Sequence, residues 1–180
     1  MLEEDYIEKL DEETQSKYKK ASDLLDIGEF EEARKLYKEI LEENEKFIPI
    51  LNKLAVIEIY QKNYEKAEDI IRSLLKEDPE YVPAITNLGS IAKKKGNLKE
   101  AERLYEKAIE IAPDYGNAYN NLGVIYREQG EYTKSVKYLK KARKRGSYSF
   151  KIEDKPFYQN KGCLLIVVVL IIIILYFVLT

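Results

Sequence analysis

Sliding the sequence against itself restores its register every 34 residues, and that period restricts the chain to a fold made by stacking one small unit. Ala33, Ala67, Ala101 and Ser135 share one column, all small, and Ala21, Ala55, Gly89 and Gly123 share another. Small side chains at fixed places let the two helices of a hairpin approach closely. Larger apolar residues fill further columns: Leu54, Leu88 and Leu122 in one, Tyr37, Ile71, Tyr105 and Leu139 in the next. Within a unit the apolar positions recur at three and four residues, as in Leu51, Leu54, Ala55 and then Ala67, Ile70, Ile71, Leu74. That is the spacing of a helix face and not of a strand, so each unit is expected to hold two amphipathic helices.

Turn residues divide the chain in the same way. Gly28, Gly96 and Gly130 stand where the first helix of a unit should end, and Pro79 and Pro113 where the second should end. Lys62 takes the glycine's place in the second unit. The expected units are 14–47, 48–81, 82–115 and 116–149, preceded by an acidic segment, 1–13, that has room for a short helix.

At these residues the chain resembles the tetratricopeptide repeat (TPR) family, whose pattern places an aromatic, Leu-Gly, Tyr, two Ala and a Pro at set offsets. Tyr119, Leu122, Gly123, Tyr126 and Ala142 carry the likeness in the fourth unit, and Leu88, Gly89, Ala101, Tyr105, Ala108 and Pro113 in the third. It weakens at the ends, where Glu45 and Ser147 replace the final Pro and Lys17 and Lys20 replace apolar positions of the first unit. Terminal units face solvent on one side, which suits polar substitution. The resemblance implies an all-α protein, a right-handed helix-turn-helix solenoid of about four TPR units.

In such an array the first helix of every unit lines a concave groove. The second, fifth, sixth and ninth positions of each unit then become the candidate contact rows. They give Asn52, Thr86 and Asn120, then Lys53, Asn87 and Asn121, then Ser22, Val56, Ser90 and Val124. An amide both donates and accepts, so Asn at regular intervals suits the main chain of an extended peptide. The same Asn also suit bonding within the array. The groove lacks the Lys/Arg pattern with which some relatives grip a C-terminal carboxylate, Pro83 or Asn117 standing in one such place. Tyr18, Tyr60 and Tyr81 are further candidates for contact near the groove.

From Cys163 to Leu179 the sequence holds 17 apolar residues without charge, Gly or Pro. As a helix they span roughly 25 Å, at the short end for a bilayer core. Only Thr180 follows, and the polar, acidic start is unlike an export signal, so the reading is a single C-terminal transmembrane tail anchor at 163–179. Residues 150–162 form the juxtamembrane linker, with Phe150, Phe157 and Tyr158 suited either to the end of the last unit or to the interface. Cys163 suits either a buried thiol or acylation.

Charge is polarised along the chain. Residues 1–45 hold 16 Asp/Glu against 7 Lys/Arg, and 127–161 hold 11 Lys/Arg against 4 Asp/Glu. The basic run ahead of the anchor, with Lys140, Lys141, Arg143, Lys144 and Arg145 at its centre, places the repeats on the cytoplasmic side and suits anionic headgroups. A solvated helix face is the other reading of that run.

With no His and one Cys, imidazole or thiolate metal chemistry is excluded, and no cofactor, phosphate-cradling loop or nucleophile-base pair is apparent. The repeat region as a whole is not basic, which argues against nucleic acid. The function expected is therefore non-enzymatic: a membrane-tethered scaffold that docks a protein or an extended peptide. The alternative is a structural subunit or assembly factor of an oligomeric membrane complex, including adaptors of the tail-anchored, organelle-division type.

Overall fold

The computed structural model describes residues 3–44 and 47–146, which form nine helices and no strand. A short α1 (Glu4–Ile7) precedes four antiparallel pairs. They are α2 (Glu12–Asp26) with α3 (Phe30–Glu43), α4 (Ile48–Tyr60) with α5 (Tyr64–Glu77), α6 (Val82–Lys94) with α7 (Leu98–Ile111), and α8 (Gly116–Glu128) with α9 (Tyr132–Lys144). The expected anchor at 163–179, the linker at 150–162 and Cys163 lie outside the described residues. Among the described residues no helix is long and apolar enough to cross a membrane.

Every hairpin turns on one residue in the left-handed backbone region: Gly28 at φ 88°, Lys62 at 64°, Gly96 at 82° and Gly130 at 80°. In each, the residue after it donates its N–H back to a helix carbonyl, as in Glu29 to Leu24 and Asn63 to Glu58, both at 2.9 Å. This caps carbonyls that the ending helix leaves open. Lys62 adopts the same geometry against the steric preference of a side chain.

The small columns set the distance between paired helices. A methyl on Gly89 would lie 2.6 Å from Cε1 of Tyr105, and one on Gly123 would lie 2.7 Å from Cγ of Leu139. Ala21, Ala33, Ala55, Ala67 and Ala101 are fully buried along the same lines.

Each hydrophobic core spans the boundary between pairs. Tyr18, Ala21, Leu25, Tyr37 and Ile40 pack with Phe47, Ile50 and Ile57 at and along α4. Ala67, Ile71 and Leu74 pack in the same way with Tyr81, Ala84 and Ile91, and Tyr105 with Leu122 and Ile125. No pair therefore has a core of its own, and stacking supplies it.

The polar seams are less periodic than the core. One column, Arg34, Glu68, Glu102, faces the next pair at each step. Arg34 donates to the buried Glu58 at 2.7 Å and to Gln61 at 3.0 Å. Glu68 instead accepts from Lys95 at 2.9 Å and from Arg72, its neighbour four residues on, at 2.6 Å. Glu102 accepts from the Tyr126 hydroxyl at 2.7 Å.

Glu58 is the fully buried carboxylate of this set. Burial pushes its pKa up, but hydrogen bonds from Lys66, Asn63 and Arg34 outweigh that and hold it at about 2, against an ordinary 4.5. The ionised form is thus the one that the fold favours. Its contribution is complete above pH 4.5 and is lost as pH falls towards 2. Glu58→Gln is expected to lower stability by about 1–3 kcal/mol at pH 7. The gap from the parent in urea unfolding is expected to close between pH 4.5 and 2. At the second hairpin turn, Lys62→Gly is expected to raise stability by about 0.5–1 kcal/mol, because relief of the left-handed strain exceeds glycine's entropy cost. A urea midpoint that falls would contradict it.

Candidate docking groove

The first helices of the pairs, α2, α4, α6 and α8, lie side by side, with α4 touching α6 and α6 touching α8. The residues singled out in the sequence fall along this face, but they divide by what they bond to. Asn52 is buried, and its Oδ1 accepts from Nδ2 of Asn87 at 2.9 Å, an amide-to-amide bond from one unit to the next. Thr86 is buried too and donates to Val82 O of its own helix at 2.9 Å. Ser90 lies 3.1 Å from both the Thr86 carbonyl and the Tyr105 hydroxyl.

The Ser row has an internal logic. Ser22 meets Tyr37 at 3.0 Å just as Ser90 meets Tyr105, whereas Val56 and Val124 stand in units whose matching residues are Ile71 and Leu139. Hydroxyl faces hydroxyl in the odd units, and hydrocarbon holds both positions in the even ones.

What remains available for docking is therefore narrower than the rows suggested. Asn87, Ser90, Asn120 and Asn121 are half-buried, and Asn117 is exposed. The Oδ1 of Asn120 is buried without a hydrogen-bond partner among the described residues. In the earlier step of the ladder the same acceptor, Asn52, is met by an amide from the following unit.

Lys53 is engaged by a feature that the sequence reading did not place. Its Nζ lies 3.0 Å from the carboxylate of Glu3, which also accepts from the Tyr18 hydroxyl at 2.8 Å. Three residues on, the Tyr6 ring meets Phe47 edge-on at 6.1 Å and Tyr81 at 5.8 Å, and its hydroxyl donates to Asp78 at 2.9 Å. Burial, then the bond to Asp78, pushes the Tyr6 phenol up to about 12. Ile7 borders a cleft of about 550 Å³ whose other walls include Gln15, Tyr18, Lys19 and Ser22. Those four are the second, fifth, sixth and ninth positions of the first unit, so α1 runs along the face named from the repeat register. The acidic character of residues 1–13 was visible in the sequence. The Glu3–Tyr6 spacing was the signal available for their seat.

Of the three tyrosines expected near the groove, Tyr18 and Tyr81 lie against α1. Tyr60 is at the opposite end of its helix, 63% exposed and stacked on Phe30 at 5.5 Å. The basic run at the end of α9 also divides. Lys141 lies over Tyr119 and Tyr138, at 5.6 and 5.3 Å. Arg145 lies over Tyr119 at 4.5 Å and donates to Pro113 O at 2.7 Å. Lys140, Arg143 and Lys144 are exposed. Among the described residues no three His, Cys, Asp or Glu side chains converge to hold a metal ion.

Two sequence profiles, both described as tetratricopeptide repeat, match residues 24–90 and 81–146. Together they run from the end of α2 through α9. The chain belongs to the tetratricopeptide repeat family. A thermophilic TPR protein of Thermus thermophilus superposes with a TM-score of 0.64 at 21% identity, over 74% of this chain and 75% of that one. A crystal structure of MamA does so at 0.55 and 24% identity, over 74% and 78%. MamA 41-end from Desulfovibrio magneticus RS-1 does so at 0.54 and 21%, over 76% and 77%. At these identities the likeness is one of fold. No match was found among curated proteins.

Proposed function

We propose that this TPR chain is a non-enzymatic docking scaffold, tethered to a membrane at its C-terminus, that holds a protein or extended peptide against the face formed by α4, α6 and α8 on the cytoplasmic side. The observation that carries the docking half is the set of half-buried amides at Asn87, Asn120 and Asn121, with one Asn120 oxygen lacking a partner among the described residues. A half-buried amide that keeps a donor and an acceptor to offer suits the main chain of an extended peptide. Membership of the TPR family supports the same reading, since stacked helix pairs present an extended binding face. The tethering half rests on the sequence: 17 consecutive apolar residues from Cys163, behind a run of Lys and Arg. Lys140, Arg143 and Lys144 are the exposed members of that run, and their charge suits anionic headgroups.

The amides are not equivalent as tests. Asn87→Ala strands the buried Oδ1 of Asn52, which costs about 1–3 kcal/mol of stability and confounds a loss of binding. Asn121→Ala removes a half-buried amide without that defect. In affinity capture from native membranes with the full chain, Asn121→Ala is expected to lose most of the partner while melting as the parent does. Undiminished capture by both variants would refute docking at this face. For the tether, the full chain is expected to stay in the membrane pellet after alkaline extraction and a chain ending at residue 160 to be released. Release of both would refute it.

A further inference from the structure

The N-terminal segment sits on the docking face in the manner of a ligand. None of the residues of α1 is buried, and four residues are far too few to form a stable helix alone, so its conformation depends on what it rests against. Ile7 and Leu10 pack against the core of the first pair, and two further side chains give the contact its chemistry. Glu3 joins Lys53 and Tyr18, on α4 and α2; Tyr6 inserts between Phe47 and Tyr81 and bonds to Asp78, 72 residues away in sequence. The anchors are thus a cation for a carboxylate, an aromatic slot for a ring, and a carboxylate to accept from the phenol. All three sites belong to the repeats, and both groups they hold belong to one short segment.

We propose that residues 3–10 are an internal occupant of the docking face, and that the partner which displaces them is a protein segment of the same chemistry: a carboxylate followed three residues later by Tyr, in acidic surroundings. This rests on the docking reading above and adds both the recognition chemistry and a built-in competitor. Lys53 selects the carboxylate. Asp78 selects Tyr over Phe, since Phe would leave that acceptor without its donor. The tether to α2 is short, fixed by the Asp11 cap on Thr14 N at 2.9 Å and by Gln15 donating to Leu10 O at 2.7 Å. The segment therefore competes at high effective concentration, and an external peptide binds only to the fraction of molecules in which it is released.

The probe is a fluorescein-labelled peptide copying residues 3–10, added to the full chain in detergent micelles and read by anisotropy. The double variant E3K/Y6A, which vacates the face, is expected to bind it at least about tenfold more tightly than the parent. Adding K53E to that variant is expected to abolish the gain, as is a peptide with Phe in place of Tyr. Equal affinity for parent and E3K/Y6A overturns the proposal. So does affinity indifferent to K53E, or no binding to an E3K/Y6A chain that still melts cooperatively. Should E3K/Y6A fail to fold, E3Q is read by hydrogen exchange. Faster exchange confined to residues 3–10 supports a displaceable occupant, and unchanged exchange or loss spreading through α2–α4 overturns it. Because the probe is the chain's own segment, its result is independent of partner capture through Asn121, and either reading can fail without the other.

Discussion

Every helix pair in this protein leaves one apolar face that only the next pair covers. Phe47, Ile50 and Ile57 complete the core of the first pair, Tyr81, Ala84 and Ile91 that of the second, and Leu122 and Ile125 that of the third. Within a pair the two helices approach closely because hydrogen atoms stand in place of methyls at Gly89 and Gly123, where the facing Tyr105 and Leu139 already fill the space. Everything else, including the face that α2, α4, α6 and α8 share, follows from repeating that contact at a constant offset.

A strictly repeated sequence would stack equally well one unit out of step. The polar seams remove that degeneracy. Arg34 meets Glu58 and Gln61, Glu68 meets Lys95 and Glu102 meets Tyr126, so a slip that set Arg34 against Lys95 would oppose like charges. Burying Glu58 costs solvation that Lys66 and Asn63 of its own pair offset together with Arg34, which the first pair supplies. The hydroxyl pairs Ser22–Tyr37 and Ser90–Tyr105 instead join the two helices of one pair, where a Val would leave the phenol against hydrocarbon.

The face shared by the first helices is shaped by the same division between repeated and unrepeated residues. Repetition places amides along it, and the array itself consumes part of that supply, as Asn87 bonds Asn52 and Thr86 bonds its own helix. The unrepeated N-terminal segment then covers the first units through Glu3 and Tyr6. The amides nearest the other end stay half-open.

The sequence by itself determined the helices, their pairing and their stacking, because those depend on contacts whose period is written into the chain: small columns, helical spacing of apolar residues, and a turn residue every 34 positions. Even the exception at Lys62 was legible, since the other three turns say what its backbone must do. The rows along the first helices were legible as positions but not as occupancies, because whether an amide is free depends on a partner in another unit. Only the tertiary structure decided that α1 lies on that face. Its anchors at Lys53 and Asp78 are 50 and 72 residues from Glu3 and Tyr6, and nothing local in residues 3–10 selects them; they come together only after stacking has brought the second unit's two ends beside the first.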